Sequence, residues 1–142
     1  MFLGEYQHTL DAKGRVILPV KFRDELQGGG VIGKTRDRAI AVYPTDEWEA
    51  VAREVQEIAK RGPTERQAAR SFFAGATEVE PDKQGRVPVP PQLREYAALD
   101  RDVVVVGVFN RIEIWDAATW REKNAEGEQA LAAEAALADF GI

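Results

Sequence analysis

One phrase is written twice in this chain: Asp11-Ala-Lys-Gly-Arg15-Val-Ile-Leu-Pro19 and Asp82-Lys-Gln-Gly-Arg86-Val-Pro-Val-Pro90. Aspartate, glycine, arginine, valine and proline recur at a constant offset of 71, and Phe22 and Arg23 continue into Leu93 and Arg94. After a slip of one residue the offset becomes 72, and Ile40, Val42, Tyr43 and Trp48 meet Ile112, Ile114, Trp115 and Trp120. So many matches in order, with one gap, identify an internal duplication, which constrains the fold more than any single motif.

Each copy reads as a short strand, a tight turn at Lys13-Gly14 or Gln84-Gly85, and a second strand over Arg15–Leu18 or Arg86–Val89. Glycine supplies the positive backbone angle such a turn needs. Pro19 and the Pro90-Pro91 pair stop the ladder and suit a helix start, which predicts short helices over Val20–Leu26 and Pro91–Ala98. Strands follow at Val31–Lys34 and Ala39–Tyr43, matched by Val103–Val106 and Arg111–Trp115. Trp48, Val51, Ala52, Val55, Ile58 and Ala59 fall at helical spacing. A further helix begins at Pro63, with Thr64 and Gln67 as a capping box. The tail from Trp120 reads as an Ala-rich helix that frays near Gly127 and resumes over Leu131–Leu137. The expected organisation is repeat one with its helix over 1–60, a linking helix over 61–76, repeat two over 77–121 and an acidic helical tail over 122–142. About 50 residues is close to the lower limit for an independent core, so the two copies should share one by exchanging strands.

Charge then matters by position. The net charge of −5 is misleading: residues 112–142 hold two basic and seven acidic residues, while residues 1–111 balance at 17 of each. His8 to Arg23 carries four basic residues against Asp11 alone. No apolar run approaches the ~20 residues of a membrane span. The start of the chain lacks a signal-peptide pattern, and cysteine is absent, which excludes disulfides and thiolate metal sites. A cytoplasmic protein fits this pattern.

Candidate chemistry is sparse. His8 is the one histidine, so neither a triad nor a multi-histidine metal site can be built, and it reads as a strand residue beside a turn. Asp11 and Asp82 could form an acid–base pair, but each has an arginine four positions on and reads first as a turn cap or ion pair. Gly28-Gly29-Gly30 lacks the lysine and following helix of a phosphate loop. Trp48, Trp115 and Trp120 could stack bases, but Trp48 and Trp120 are repeat-equivalent helix starts and, like Phe72 and Phe73, read as core. The turns differ: Lys13 and Arg15, and Gln84 and Arg86, place long donors on tight, exposed corners suited to guanine, adenine or phosphate. Lys21, Arg23, Lys83 and Arg94 could add phosphate contacts. Ordinary solvated turns with local ion pairs are the competing reading.

At these residues the chain resembles the MraZ family. The resemblance lies in Phe2-Leu-Gly-Glu-Tyr-Gln-His8, in Leu10 to Arg15 with Pro19, and in Asp82 to Arg86 with Pro90, Leu93-Arg94 and Tyr96-Ala97. Glu113-Ile-Trp115 and Trp120 extend it to about residue 121. It implies an α+β, mainly β fold: tandem SpoVT-AbrB-like swapped-hairpin units forming a pseudo-two-fold barrel with flanking helices. It implies a transcriptional regulator, a repressor, of the division and cell-wall gene cluster that includes its own gene. Its partners would be double-stranded DNA bearing promoter direct repeats and further copies of itself in a ring, at the nucleoid and not in a membrane. The DNA contacts would be Arg15 and Arg86, with Lys13, Lys83 and Gln84 beside them. Asp11, Asp82, Gly14 and Gly85 would hold the turns. No cofactor, metal or catalytic group is implied. A protein-interaction module of antitoxin type on the same fold is the alternative, and an enzyme working through Asp11 and Asp82 is a more distant one.

Overall fold

The computed structural model describes residues 1–133, 135–139 and 141. The first copy contributes β1 (Phe2–Thr9), β2 (Arg15–Ile17), α1 (Val20–Glu25), β3 (Gly30–Lys34), β4 (Ile40–Pro44) and α2 (Thr45–Ala59). The helix α3 (Pro63–Ala74) leads to the second: β5 (Thr77–Val79), β6 (Arg86–Pro88), α4 (Pro91–Tyr96), β7 (Asp102–Phe109), β8 (Ile112–Asp116), α5 (Ala117–Ala133) and α6 (Ala135–Ala138).

The copies are interleaved. An antiparallel six-stranded sheet has the order β1-β7-β8-β4-β3-β5, and β2 pairs with β6 in a separate two-stranded ribbon. Read from either end, the six-stranded order names equivalent strands, so a pseudo-two-fold axis passes between β4 and β8 and between β2 and β6. The long strand β1 pairs along its full length with β7 of the other copy, Phe2 opposite Phe109 through Thr9 opposite Asp102. In return β5 pairs with β3. Neither copy completes its own sheet.

Alternation along the strands sorts side chains to two faces. Ile32, Ile40, Val42, Val103, Val105, Ile112 and Ile114 face the ribbon, and close a buried core with its Val16 and Val87 and with Phe22 and Leu93 of the short helices. The opposite face carries the long helices. Trp48 of α2 lies against Tyr43 and stacks on Phe72 of α3, with ring centroids 5.3 Å apart. Trp120 of α5 lies against Trp115, and Ala39, Val104 and Val106 pack nearby. Ribbon and long helices therefore occupy opposite sides of the sheet.

The expected barrel does not form. Among the described residues the six-stranded sheet ends at β1 and β5, which do not pair, and the ribbon stays a sheet of its own. Proline is the physical reason. Pro19 and Pro90 end the ribbon strands after three paired residues, and Pro81 follows the three-residue β5, so neither the ribbon nor the β5 edge runs far enough to join the open edge at β1. Two local expectations also change. Thr64 does not cap α3: Gly62 is the N-cap, Pro63 fills the first helical position, and no side-chain cap bond is made. The tail helix begins at Ala117, three residues before Trp120, because Asp116 Oδ2 accepts the Thr119 backbone N–H at 3.1 Å, and it passes Gly127 unbroken.

Candidate nucleic-acid interface

Each repeated turn is built by one aspartate. Asp11 Oδ1 accepts the backbone N–H of Lys13 and of Arg15, both at 2.9 Å, and its other oxygen accepts Arg15 Nε at 2.7 Å. Asp82 repeats this with Gln84, Arg86 and Arg86 Nε at 2.9, 2.9 and 2.7 Å. These bonds favour the ionised carboxylate, so both aspartates are held below the ordinary aspartate range, the backbone N–H of Arg15 or Arg86 contributing most. An acid–base pair would need at least one carboxyl raised.

The turns also need their glycines, for two reasons. Gly14 and Gly85 have φ of 74° and 79°, in the left-handed region. The space where a Cβ would sit is filled by an arginine of the other copy: Arg94 Nη1 would lie 1.9 Å from a Cβ on Gly14, and Arg23 Nε 1.9 Å from one on Gly85. Arg23 Nε donates to Leu18 O at 2.9 Å, and Arg94 Nη1 donates to Val89 O. The Gly85 carbonyl accepts the Leu18 N–H, and the Gly14 carbonyl accepts the Val89 N–H, both at 2.9 Å. Each turn is thus clamped by the opposite copy.

The ribbon joins the two turns into one surface. Arg15 faces Pro88, Val16 faces Val87, and Ile17 faces Arg86. The two valines are buried, so Arg15, Ile17, Arg86 and Pro88 form the outward face. The arginines sit diagonally, with Cα atoms ~7–8 Å apart in this geometry. Their Nε atoms are bound to aspartate; among the described residues the terminal guanidinium nitrogens make no hydrogen bond to protein. Each fork is aimed by its carboxylate and keeps its two terminal nitrogens for a ligand, the arrangement that suits bidentate recognition of a planar acceptor pair.

Curated relatives agree over the whole chain. A chain named Transcriptional regulator MraZ from Desulfitobacterium hafniense (strain Y51) is 46% identical over 143 residues, covering 100% of both chains. One of the same name from Salinispora tropica is 50% identical over 132 residues, 93% of each chain. The family model described as "MraZ protein, putative antitoxin-like" matches twice, over residues 1–71 and 72–140. The chain belongs to the MraZ family. The two matches begin 71 residues apart, the same step that separates Asp11 from Asp82, and the relatives' printed names are those of regulators, not enzymes.

In this MraZ-family chain the other candidate residues divide into two groups. Lys13, Lys83 and Gln84 are exposed on the turns and Lys21 on α1, all free to reach a ligand. Arg23 and Arg94 are half-buried, with part of their hydrogen-bonding capacity committed to the clamps. The sequence reading missed Ile17 and Pro88 as members of the same face. The signal was present: each stands two residues after its arginine, the spacing that returns to one side of a strand. Trp48, Trp120, Phe72 and Phe73 are spent on the aromatic clusters behind the sheet. No helix among the described residues is long and apolar enough to cross a membrane.

Proposed function

We propose that this chain is a sequence-specific DNA-binding regulator of transcription that reads double-stranded DNA with the outward face of the β2–β6 ribbon. The observation that carries the reading is the duplicated pair of aspartate-aimed arginines, Arg15 and Arg86, on one exposed two-stranded surface. A two-stranded ribbon fits the major groove, where arginine pairs with guanine O6 and N7. Lys13, Lys83 and Gln84 flank those contacts, while Lys21, Arg23 and Arg94 face the phosphates. Membership of the MraZ family supports the regulatory role, repression of the division and cell-wall gene cluster with its own gene, and a cytoplasmic site of action at the nucleoid.

Each turn carries one net positive charge, since its aspartate offsets one of two basic residues. A single copy should therefore bind weakly and with strong salt dependence. A ring of copies on promoter direct repeats engages several ribbons at once and gains affinity through effective concentration. The long helices lie behind the sheet, so copies that meet through that side leave their ribbons free.

The test is a gel shift on DNA upstream of the chain's own gene at two salt concentrations. Wild type should bind and weaken as salt rises. Folded Arg15→Ala should lose ~10-fold or more, as expected for one bidentate base contact. DNA with one repeat should bind much more weakly than DNA with several. Equal binding by wild type and mutant removes Arg15 from the interface. No binding by wild type turns the assignment to a protein-interaction module of antitoxin type.

A further inference from the structure

Three side chains of the ribbon's outward face have evident causes. Arg15 and Arg86 are aimed by their aspartates, and Pro88 offers no N–H to a further neighbour, which suits an edge of the ribbon. Ile17 has none. It is 43% exposed, points away from the core that takes its neighbours Val16 and Leu18, and stands directly opposite Arg86. Scattered apolar residues on a surface are ordinary. Ile17 is not scattered: it shares the outward face with two arginines and lies directly opposite Arg86, where a β-branched threonine would suit the strand as well.

We infer that Ile17 contacts the C5-methyl group of a thymine in the major groove, beside the base that Arg86 reaches. This inference rests on the DNA reading above. The thymine methyl is the one apolar group that base pairs present on the floor of that groove, and aliphatic side chains recognise it. Directly opposed residues on paired strands have Cβ atoms ~5 Å apart, and successive bases on a strand are ~3.4 Å apart. An arginine and an isoleucine facing each other therefore span neighbouring base pairs, one polar and one methyl-bearing. The second copy places Pro88 at the equivalent position, a rigid ring without a branched aliphatic end. Lys13 and Gln84 differ at equivalent positions in the same way. The two halves of the face are thus chemically unlike, which suits a directional DNA element over a palindrome.

The experiment compares the upstream DNA in two forms, one with thymine and one with deoxyuridine in its place, a change that removes the methyl group alone. Wild type, Ile17→Ala and Ile17→Val are measured by quantitative gel shift, with sedimentation and circular dichroism to verify assembly and fold. Wild type should bind uracil DNA about fourfold more weakly for each methyl contacted. Ile17→Ala should bind both DNAs alike, near the level of wild type on uracil DNA, and Ile17→Val should keep part of the preference. Wild type that binds both DNAs equally, while still depending on Arg15, overturns the methyl contact and leaves the DNA reading standing. An Ile17→Ala protein that keeps the full uracil penalty overturns it too, as does one whose main change is loss of assembly. Wild type that binds neither DNA overturns the DNA reading and this inference with it.

Discussion

Gly14→Ala tests the clamp between the copies. At φ of 74° an alanine costs about 1 kcal/mol of backbone strain. Its Cβ would also take the place of Arg94 Nη1. That nitrogen is the far end of a flexible side chain, so the backbone need not move, but the charged hydrogen bond to Val89 O is lost. A charge-assisted bond of this kind contributes about 2 kcal/mol, so the substitution should destabilise by about 3 kcal/mol in all. With a urea dependence of about 2 kcal/mol per molar, the unfolding midpoint falls by about 1.5 M. Arg94→Ala alone should cost about 2 kcal/mol, and the double mutant about 3 kcal/mol, because the bond can be lost only once. The cycle should therefore show about 2 kcal/mol of coupling between residues 80 positions apart. Additive single effects, or a Gly14→Ala shift no larger than the backbone strain, would refute the clamp.

Other substitutions report on neighbouring parts of the same design. In Gly107→Ala the new Cβ would stand 2.3 Å from Leu3 N and 2.5 Å from Phe2 C, both backbone, so the start of β1 must separate from β7 and release buried Phe2. A loss of about 3 kcal/mol or more is expected in thermal unfolding, with hydrogen exchange rising first in β1, and unchanged β1 protection would contradict it. Asp11→Asn keeps an oxygen for the turn N–H groups but loses the charge that aims Arg15, so DNA affinity should fall by less than in Arg15→Ala; a gel shift with equal losses speaks against aiming as its role. Asp11 and Asp82 are ionised more readily in the folded chain than in the unfolded one, so their contribution is present above an unfolded value near 3.8 and is lost as pH falls through their lowered range. Carboxyl NMR titrations with midpoints at or above 3.8 would exclude this. His8 is lowered from 6.5 by burial, then by Arg23, so it favours the unfolded chain as pH drops below 6.5. His8→Asn should flatten the stability profile just below that pH.

The parts of this structure that were legible in the sequence are those decided within a few residues. The Asp-x-x-Gly-Arg turns could be read because an aspartate bonding the N–H groups two and four residues on is local chemistry. The ends of the ribbon strands followed from Pro19 and Pro90. Strand exchange was reachable from the size of each copy, but the order β1-β7-β8-β4-β3-β5 was not, since pairing between distant segments leaves no periodic trace. The barrel expectation failed at that step: it assumed closure where prolines leave β2, β6 and β5 too short. Thr64 resembled a cap until Gly62 and Pro63 took the first two positions. Arg23 and Arg94 looked alike in both copies, yet their places over Gly85 and Gly14 depend on the exchange and could not be read from either copy alone.

The crossed clamps make the chain a caliper of fixed span. Where a flexible linker joins two units, it sets the distance between them, and they wander with its length and stiffness. Here the separation of Arg15 and Arg86 is fixed by the pairing of Val16 with Val87, and each jaw is gripped by an arginine from the other half. Lengthening the segment between the halves would leave the gap unchanged. The jaws carry different side chains beside their arginines, but their spacing cannot drift without dismantling the core beneath them.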